Sequence, residues 1–165
     1  LIAGISKTLK CAAPEAPAKI ESLQAENKQL AKEIESLKEK VAGGGLDNMV
    51  KNAEDVNGVK IVCGKFTDAD VNTLRKIGDT MKDKFDAVVC ITASVADEKV
   101  MLVCSANKNA VAKGIHCGMV VKAAAPEVGG SGGGRPDSAQ AGGKNAGGID
   151  AALAAAVETV KQQIK

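Results

Sequence analysis

The chain has 165 residues, 22 Lys+Arg against 20 Asp+Glu, a formal net charge of +2, 45 % hydrophobic residues and 18 glycines. That balance fits a globular chain, excludes collagenous, mucin-like and wholly disordered classes, and argues against a general polyanion-binding tail. No apolar run approaches the roughly 18 residues a membrane span requires, so no membrane partner is expected.

The segment Leu1 to Ala13 carries Lys7 and Lys10 within its apolar stretch, which does not read as a secretory signal, and its start without Met reads as that of an internal fragment. Pro14 and Pro17 separate it from a long helix, with Pro17 suited to the first turn. Ile20, Leu23, Asn27, Leu30, Ile34, Leu37 and Val41 recur at alternating steps of three and four. Ile falls at heptad position a and Leu at d, the choice that favours two parallel strands, and a polar Asn27 at an a position fixes register in such a pair. The stripe serves either a homodimer through Ile20, Leu23, Asn27, Leu30, Ile34 and Leu37 or packing within the chain, with Leu1, Ile2, Ile5 and Leu9 as candidate partners. Asn27 accordingly faces either a seam or solvent.

Gly43, Gly44 and Gly45 are expected to end this helix and act as a joint, since glycine supplies the C-cap conformation and chain flexibility. They divide the chain into a helical module, 1–42, a glycine linker, 43–45, and a globular module, 46–165. The globular part is long enough to bury its own core. In it, Leu46 to Ala53 reads as a short helix, Val59 to Phe66 as a strand, and Thr67 with Asp70 as a capping box opening a helix that carries Val71, Leu74, Met81 and Phe85 on one face. Ala87 to Thr92 and Lys99 to Ser105 read as a hairpin, Lys113 to Ala125 as a helix stopped near Pro126, and Asp150 to Ile164 as a final helix. The expected fold is α/β: a small mixed β-sheet covered by helices, preceded by a long N-terminal helix of coiled-coil type.

Phe66 and Phe85 are the only aromatic residues, so the core must be built of Val, Ile, Leu, Met and Ala, and stacking of bases on rings is disfavoured. Cys11, Cys63, Cys90, Cys104 and Cys117 are odd in number and show no CxxC spacing, which reads as reduced thiols in a cytosolic protein. His116 and Cys117 are adjacent and rarely reach one metal together, so no metal site is expected.

Half of the glycines lie within VGGSGGGRPDSAQAGGKNAGG, Val128 to Gly148. A flexible linker is disfavoured because only one helix follows. Gly129 and Gly134 have phosphate-loop spacing, but Arg135-Pro136 replaces the Lys-Ser/Thr that grips phosphate and magnesium. What remains is a loop of positive φ or close approach, with Lys108, Lys113, Lys122, Arg135 and Lys144 outnumbering Glu127 and Asp137 around it. A nearly side-chain-free surface flanked by cations suits an RNA partner. The candidate contacts are Arg135, Lys144, Lys113 and Gln140 over the backbone of Gly132, Gly133, Gly142 and Gly143. Arg135 has an alternative partner in Asp137, and Gln140 either meets the nucleic acid or pins its own loop.

GGSGGGRPDSAQAGG (Gly129 to Gly143) resembles the terminal signature of the alanyl-tRNA synthetase family, and LKCAAPEAPAKIESLQAENKQLAKEIESLKEKV resembles the helix preceding that family's globular tail. Asn57-Gly58-Val59-Lys60 and the hairpin fall in matching order, so the resemblance covers essentially the whole chain. It implies a non-catalytic tRNA-binding tail that holds the tRNA elbow and supports aminoacylation and editing carried out elsewhere in the parent enzyme. It implies no cofactor in this piece, with ATP, Mg and Zn used by the parent. It also implies a homodimer through the helical part, binding of DNA as a further capability, and a cytoplasmic location, or a mitochondrial one for an organellar form. The same unit resembles the end of DHH-type phosphoesterases, but there the glycines are followed by His, as in GGGH, where this chain has Arg135.

Overall fold

A computed structural model describes residues 8–9, 11–96 and 98–164, with the backbone alone over 33–44. The chain divides into two compact units, Leu1–Val41 and Ala42–Lys165.

The first unit is dominated by helix α1, whose backbone is helical from Ala16 to Lys51. The break expected at Gly43–Gly45 is therefore absent from the backbone, and the short helix expected at Leu46 to Ala53 is the end of α1. Pro17 sits in the first turn, where a missing N–H costs nothing. Leu1, Ile2 and Ile5 lie outside the described residues, as do the side chains of Ile34 and Leu37.

In the second unit, six strands form one sheet in the order β1-β2-β3-β4-β6-β5. They are β1 (Glu54–Val56), β2 (Val59–Thr67), β3 (Val88–Ala96), β4 (Lys99–Ala106), β5 (Ser131–Gly134) and β6 (Ser138–Gly143). Asn57 (φ 49) and Gly58 (φ 75) join β1 to β2, the two positive φ values a tight two-residue hairpin needs. β2 and β3 pair in parallel and all other neighbours pair antiparallel, so the sheet is mixed as expected. Helix α2 (Val71–Lys84) makes the parallel connection. Its N-cap is Asp70, whose Oδ1 accepts from the Thr73 N–H at 2.7 Å, so the cap lies three residues later than the capping box read at Thr67.

Two further differences bear on the site. The helix expected over Lys113 to Ala125 is the shorter α4 (Cys117–Ala124), and a separate short helix not expected from the sequence, α3 (Lys108–Ala112), precedes it with Lys113 as its C-cap. The glycine-rich segment is no loop but the hairpin β5–β6. Helix α5 (Ile149–Gln163) closes the chain.

The sheet is covered on both sides. On one, Val59, Ile61, Val89, Ile91, Val100, Leu102, Cys104, Ala139 and Ala141 pack with α4 and α5 through Val120, Val121, Ala152, Ala156 and Val160. On the other, Val62, Phe66, Val88, Cys90 and Val103 pack with Leu74, Ile77 and Met81 of α2 and with Met49. β3 is buried on both faces and so reads as a continuous apolar run rather than an alternation. Each fully buried Leu74 or Met81 side chain contributes about 1.5–3 kcal/mol relative to exposure. Gly45 lies against the Phe66 ring, and a Cβ on Gly64 would run into Met49, so within the second unit these two glycines permit close packing of the last turns of α1 on β2.

All five cysteines are unpaired, with Cys90, Cys104 and Cys117 buried. Burial pushes the Cys63 thiol up to about 11 and that of Cys90 up to about 12, and hydrogen bonding with Cys117 together with burial raises Cys104 as well.

Candidate nucleic-acid interface

α2 lies over β3 and β4, and the same face of the sheet continues past it onto β6 and β5. Register fixes which residues this face carries. Gln140 stands opposite Val103, which packs under α2, and Gly142 stands opposite Met101. Across the next ladder Gly133 pairs with Gln140, and Ser131 with Gly142. Gln140, Gly142 and Ser131 are exposed and Gly133 half-buried, whereas Ala139 and Ala141 point to the buried side.

The glycines of the hairpin fall into two kinds. A Cβ on Gly130 would run into Gly142 backbone, one on Gly132 into Ala141, and one on Gly143 into Val128. These positions are glycine because chain packs against chain. A Cβ on Gly133 would meet nothing within 4 Å, and one on Gly142 would reach only the Val100 carbonyl at 4.0 Å. Packing therefore does not require glycine at these two positions, yet both leave the exposed face flat.

At one end of this face the strands open into a groove of about 480 Å³, lined by Lys99, Val100, Met101, Gly129, Gly130, Ser131, Gly142, Gly143 and Lys144. Lys99 and Lys144 have no carboxylate partner among the described residues. At the middle of the face, Arg75 Nη2 of α2 donates to Gln140 Oε1 at 2.8 Å.

The expected contacts are thus only partly brought together. Gln140, Gly133, Gly142 and Lys144 share the open face. Gly132 and Gly143 belong to the packed side. Arg135 sits in the β5–β6 turn at the far end of the hairpin, exposed, with Nε 3.2 Å from Asp137 Oδ1 and Nη2 3.3 Å from Asp137 Oδ2. The carbonyls of Arg135 and Pro136 accept from the N–H groups of Gly118 and Cys117, so the turn itself fills the N-terminus of α4. Lys113 is spent elsewhere: its Nζ donates to the Asn57 and Gly58 carbonyls at 3.1 and 3.0 Å, clamping the hairpin at the opposite edge of the sheet. Ile20, Leu23 and Leu30 of the first unit are 41, 38 and 56 % exposed.

Arg75 and Lys99 were not among the expected contacts. Both left a trace in the sequence. Arg75 is one of only two arginines in a lysine-rich chain, and Lys99 precedes Met101 by two, which puts it on the same face of a strand.

The profile of the DHHA1 domain matches residues 58–164. The chain belongs to the DHHA1 domain family. A relative, alanine–tRNA ligase 1 of Lachnoclostridium phytofermentans, is 48 % identical over 147 residues, 89 % of this chain and 17 % of the relative. The chain thus spans less than a fifth of that relative's length. Among solved structures, the C-Ala domain of Aquifex aeolicus alanyl-tRNA synthetase is 25 % identical with a TM-score of 0.58, covering 68 % of this chain and 97 % of that one. A DHH domain described as a member of the s1p family of ribosomal proteins shares the fold at 16 % identity and a TM-score of 0.55, over 84 % of this chain and 33 % of that one. The glycine hairpin, the groove and the Arg75–Gln140 contact all lie within the DHHA1 domain of this chain. Among the described residues no helix is long and apolar enough to cross a membrane, and no cluster of three His, Cys, Asp or Glu stands ready for a metal.

Proposed function

We propose that this chain is the tRNA-holding C-terminal part of an alanyl-tRNA synthetase. It binds the tRNA elbow through the open face of β5 and β6 and carries no catalytic residue of its own. The observation that carries this reading is the pair Gly133 and Gly142, where side chains would fit and none stands, on the same face as Gln140 and as Lys144, which has no carboxylate partner among the described residues. A flat backbone floor lets a helix of RNA come close, and cations around it meet phosphates. The names of the relatives support the choice of tRNA. In the parent enzyme the role is to support ATP-dependent attachment of alanine to tRNA(Ala) and the clearing of mischarged tRNA, with ATP, Mg and Zn used outside this chain and the whole acting in the cytoplasm. DNA is a second ligand of the detached domain.

Titration of the chain against tRNA and duplex DNA at several salt concentrations tests the reading. Binding to tRNA should weaken with salt in proportion to the few phosphates neutralised. No binding at low ionic strength would overturn it.

A second role, self-association, is favoured by the exposure of Ile20, Leu23 and Leu30 along one stripe of α1. Large apolar side chains at heptad spacing gain most by meeting the same stripe of a second copy. A DHH-type phosphoesterase has no such support: the likeness to that DHH domain reaches only the fold.

A further inference from the structure

Arg75 and Gln140 are 65 positions apart in the chain and meet in the middle of the open face. A guanidinium carries five N–H donors and no acceptor, so Gln140 must turn its amide oxygen to Arg75 and its NH2 group away from it. Gln140 is exposed and flanked by Gly133 across the ladder and Gly142 two positions on, so the amide stands over bare backbone. Unlike Arg135, Arg75 has no carboxylate beside it among the described residues. Among the described residues its side chain meets the Gln140 amide.

We infer that Arg75 is a positioning residue that holds Gln140 as a donor-only reader of acceptor atoms in the shallow minor groove of an RNA helix. The inference rests on the tRNA-binding reading above. An A-form minor groove is wide and shallow and displays ribose 2′-hydroxyls and base-edge acceptors, a surface a flat floor can approach. A free glutamine presents either end of its amide and loses rotamer freedom on binding; one whose oxygen is already engaged presents two N–H donors and has less freedom to lose. Arg75 thus acts through Gln140 and adds an uncompensated charge beside it.

The test uses the full chain, a tRNA transcript and a DNA duplex, comparing R75M, Q140M, the double variant and K144M. All three positions are exposed, and thermal unfolding checks that each variant folds. R75M and Q140M should each lower the tRNA-to-DNA affinity ratio by about three- to tenfold, the value of one lost hydrogen bond, and the double variant should lower it no further than Q140M alone. K144M should weaken both ligands alike, as loss of a phosphate contact does. A ratio unmoved by Q140M, or R75M lowering it equally with and without Gln140, overturns the inference. A wild-type chain that ignores tRNA at low salt ends the tRNA reading as well; one that binds tRNA while Q140M leaves the ratio alone ends this inference only.

Discussion

Arg135 and Lys144 stand at opposite ends of one strand: Arg135 closes the turn into β6, and Lys144 follows its last residue, Gly143. At about 3.3 Å per residue that separation is about 20 Å, so the two cations cannot share a phosphate and must act at distant points of a ligand. Arg135→Ala should lower tRNA affinity by about 1–3 kcal/mol without unfolding the domain, and combined with Lys144→Ala the losses should add. Asp137→Asn should raise affinity, because it frees the guanidinium from its exposed carboxylate partner. Fluorescence titration at fixed salt reads all of these, and unchanged binding by a folded Arg135→Ala chain removes Arg135 from the interface.

The two kinds of glycine give opposite predictions for the same substitution. Gly133→Ala meets open space and stiffens the unfolded chain, so stability should hold or rise by up to about 1 kcal/mol while tRNA binding weakens. Gly132→Ala drives a methyl into Ala141 and should destabilise by about 1–3 kcal/mol, the usual cost of overpacking. Thermal unfolding paired with titration separates them. A Gly133→Ala chain that unfolds early, or that binds as tightly as wild type, contradicts the account of the open face.

Much of the fold was legible because its period was. The hairpin β3–β4, the strand β2 and the final helix all follow apolar spacing that burial then explains, as with Leu153, Val157 and Val160 of α5 against the sheet. The glycine segment was misread as a loop because Gly133 and Gly142 have no side chains to alternate, so a strand built of them leaves no pattern. The backbone runs helical through Gly43–Gly45, where a stop was expected; glycine's low helix propensity is offset at Gly45 by its close approach to Phe66. Of the proposed site, Gln140 and Lys144 were named from composition around the glycines. Arg75 was missed because it reaches the hairpin from a helix 65 residues away, a proximity only topology supplies.

Self-association has a direct check. If the stripe of Ile20, Leu23 and Leu30 forms a two-stranded seam, Asn27→Leu should tighten the dimer and relax its register, since a buried polar a position costs stability and fixes alignment. Sedimentation at micromolar concentration should show a dimer that grows stronger in the variant. A strict monomer in both sequences ends this role.

The buried thiols set an alkaline limit. Cys63 and Cys90 are raised to about 11 and about 12 from an ordinary 9.0, so the folded chain keeps protons that the unfolded chain releases. Their contribution is complete below about pH 9 and is lost as pH rises from there toward 12. Denaturant midpoints should therefore fall between pH 8.5 and about 10.5, and Cys90→Ala should fall less steeply across that range. Equal slopes in the two proteins would contradict the assignment. In native conditions a thiol reagent should modify Cys90, Cys104 and Cys117 no faster than the chain opens.

The sheet's outermost strands carry one more consequence. β5 is Ser-Gly-Gly-Gly, and β1 is three residues long and bears Glu54 and Asp55, held by Lys161 and Lys60. One rim is too poor in side chains, and the other too brief and too charged, to recruit a foreign strand by backbone pairing. A sheet whose two rims are built in this way gives amyloid-like growth little to extend.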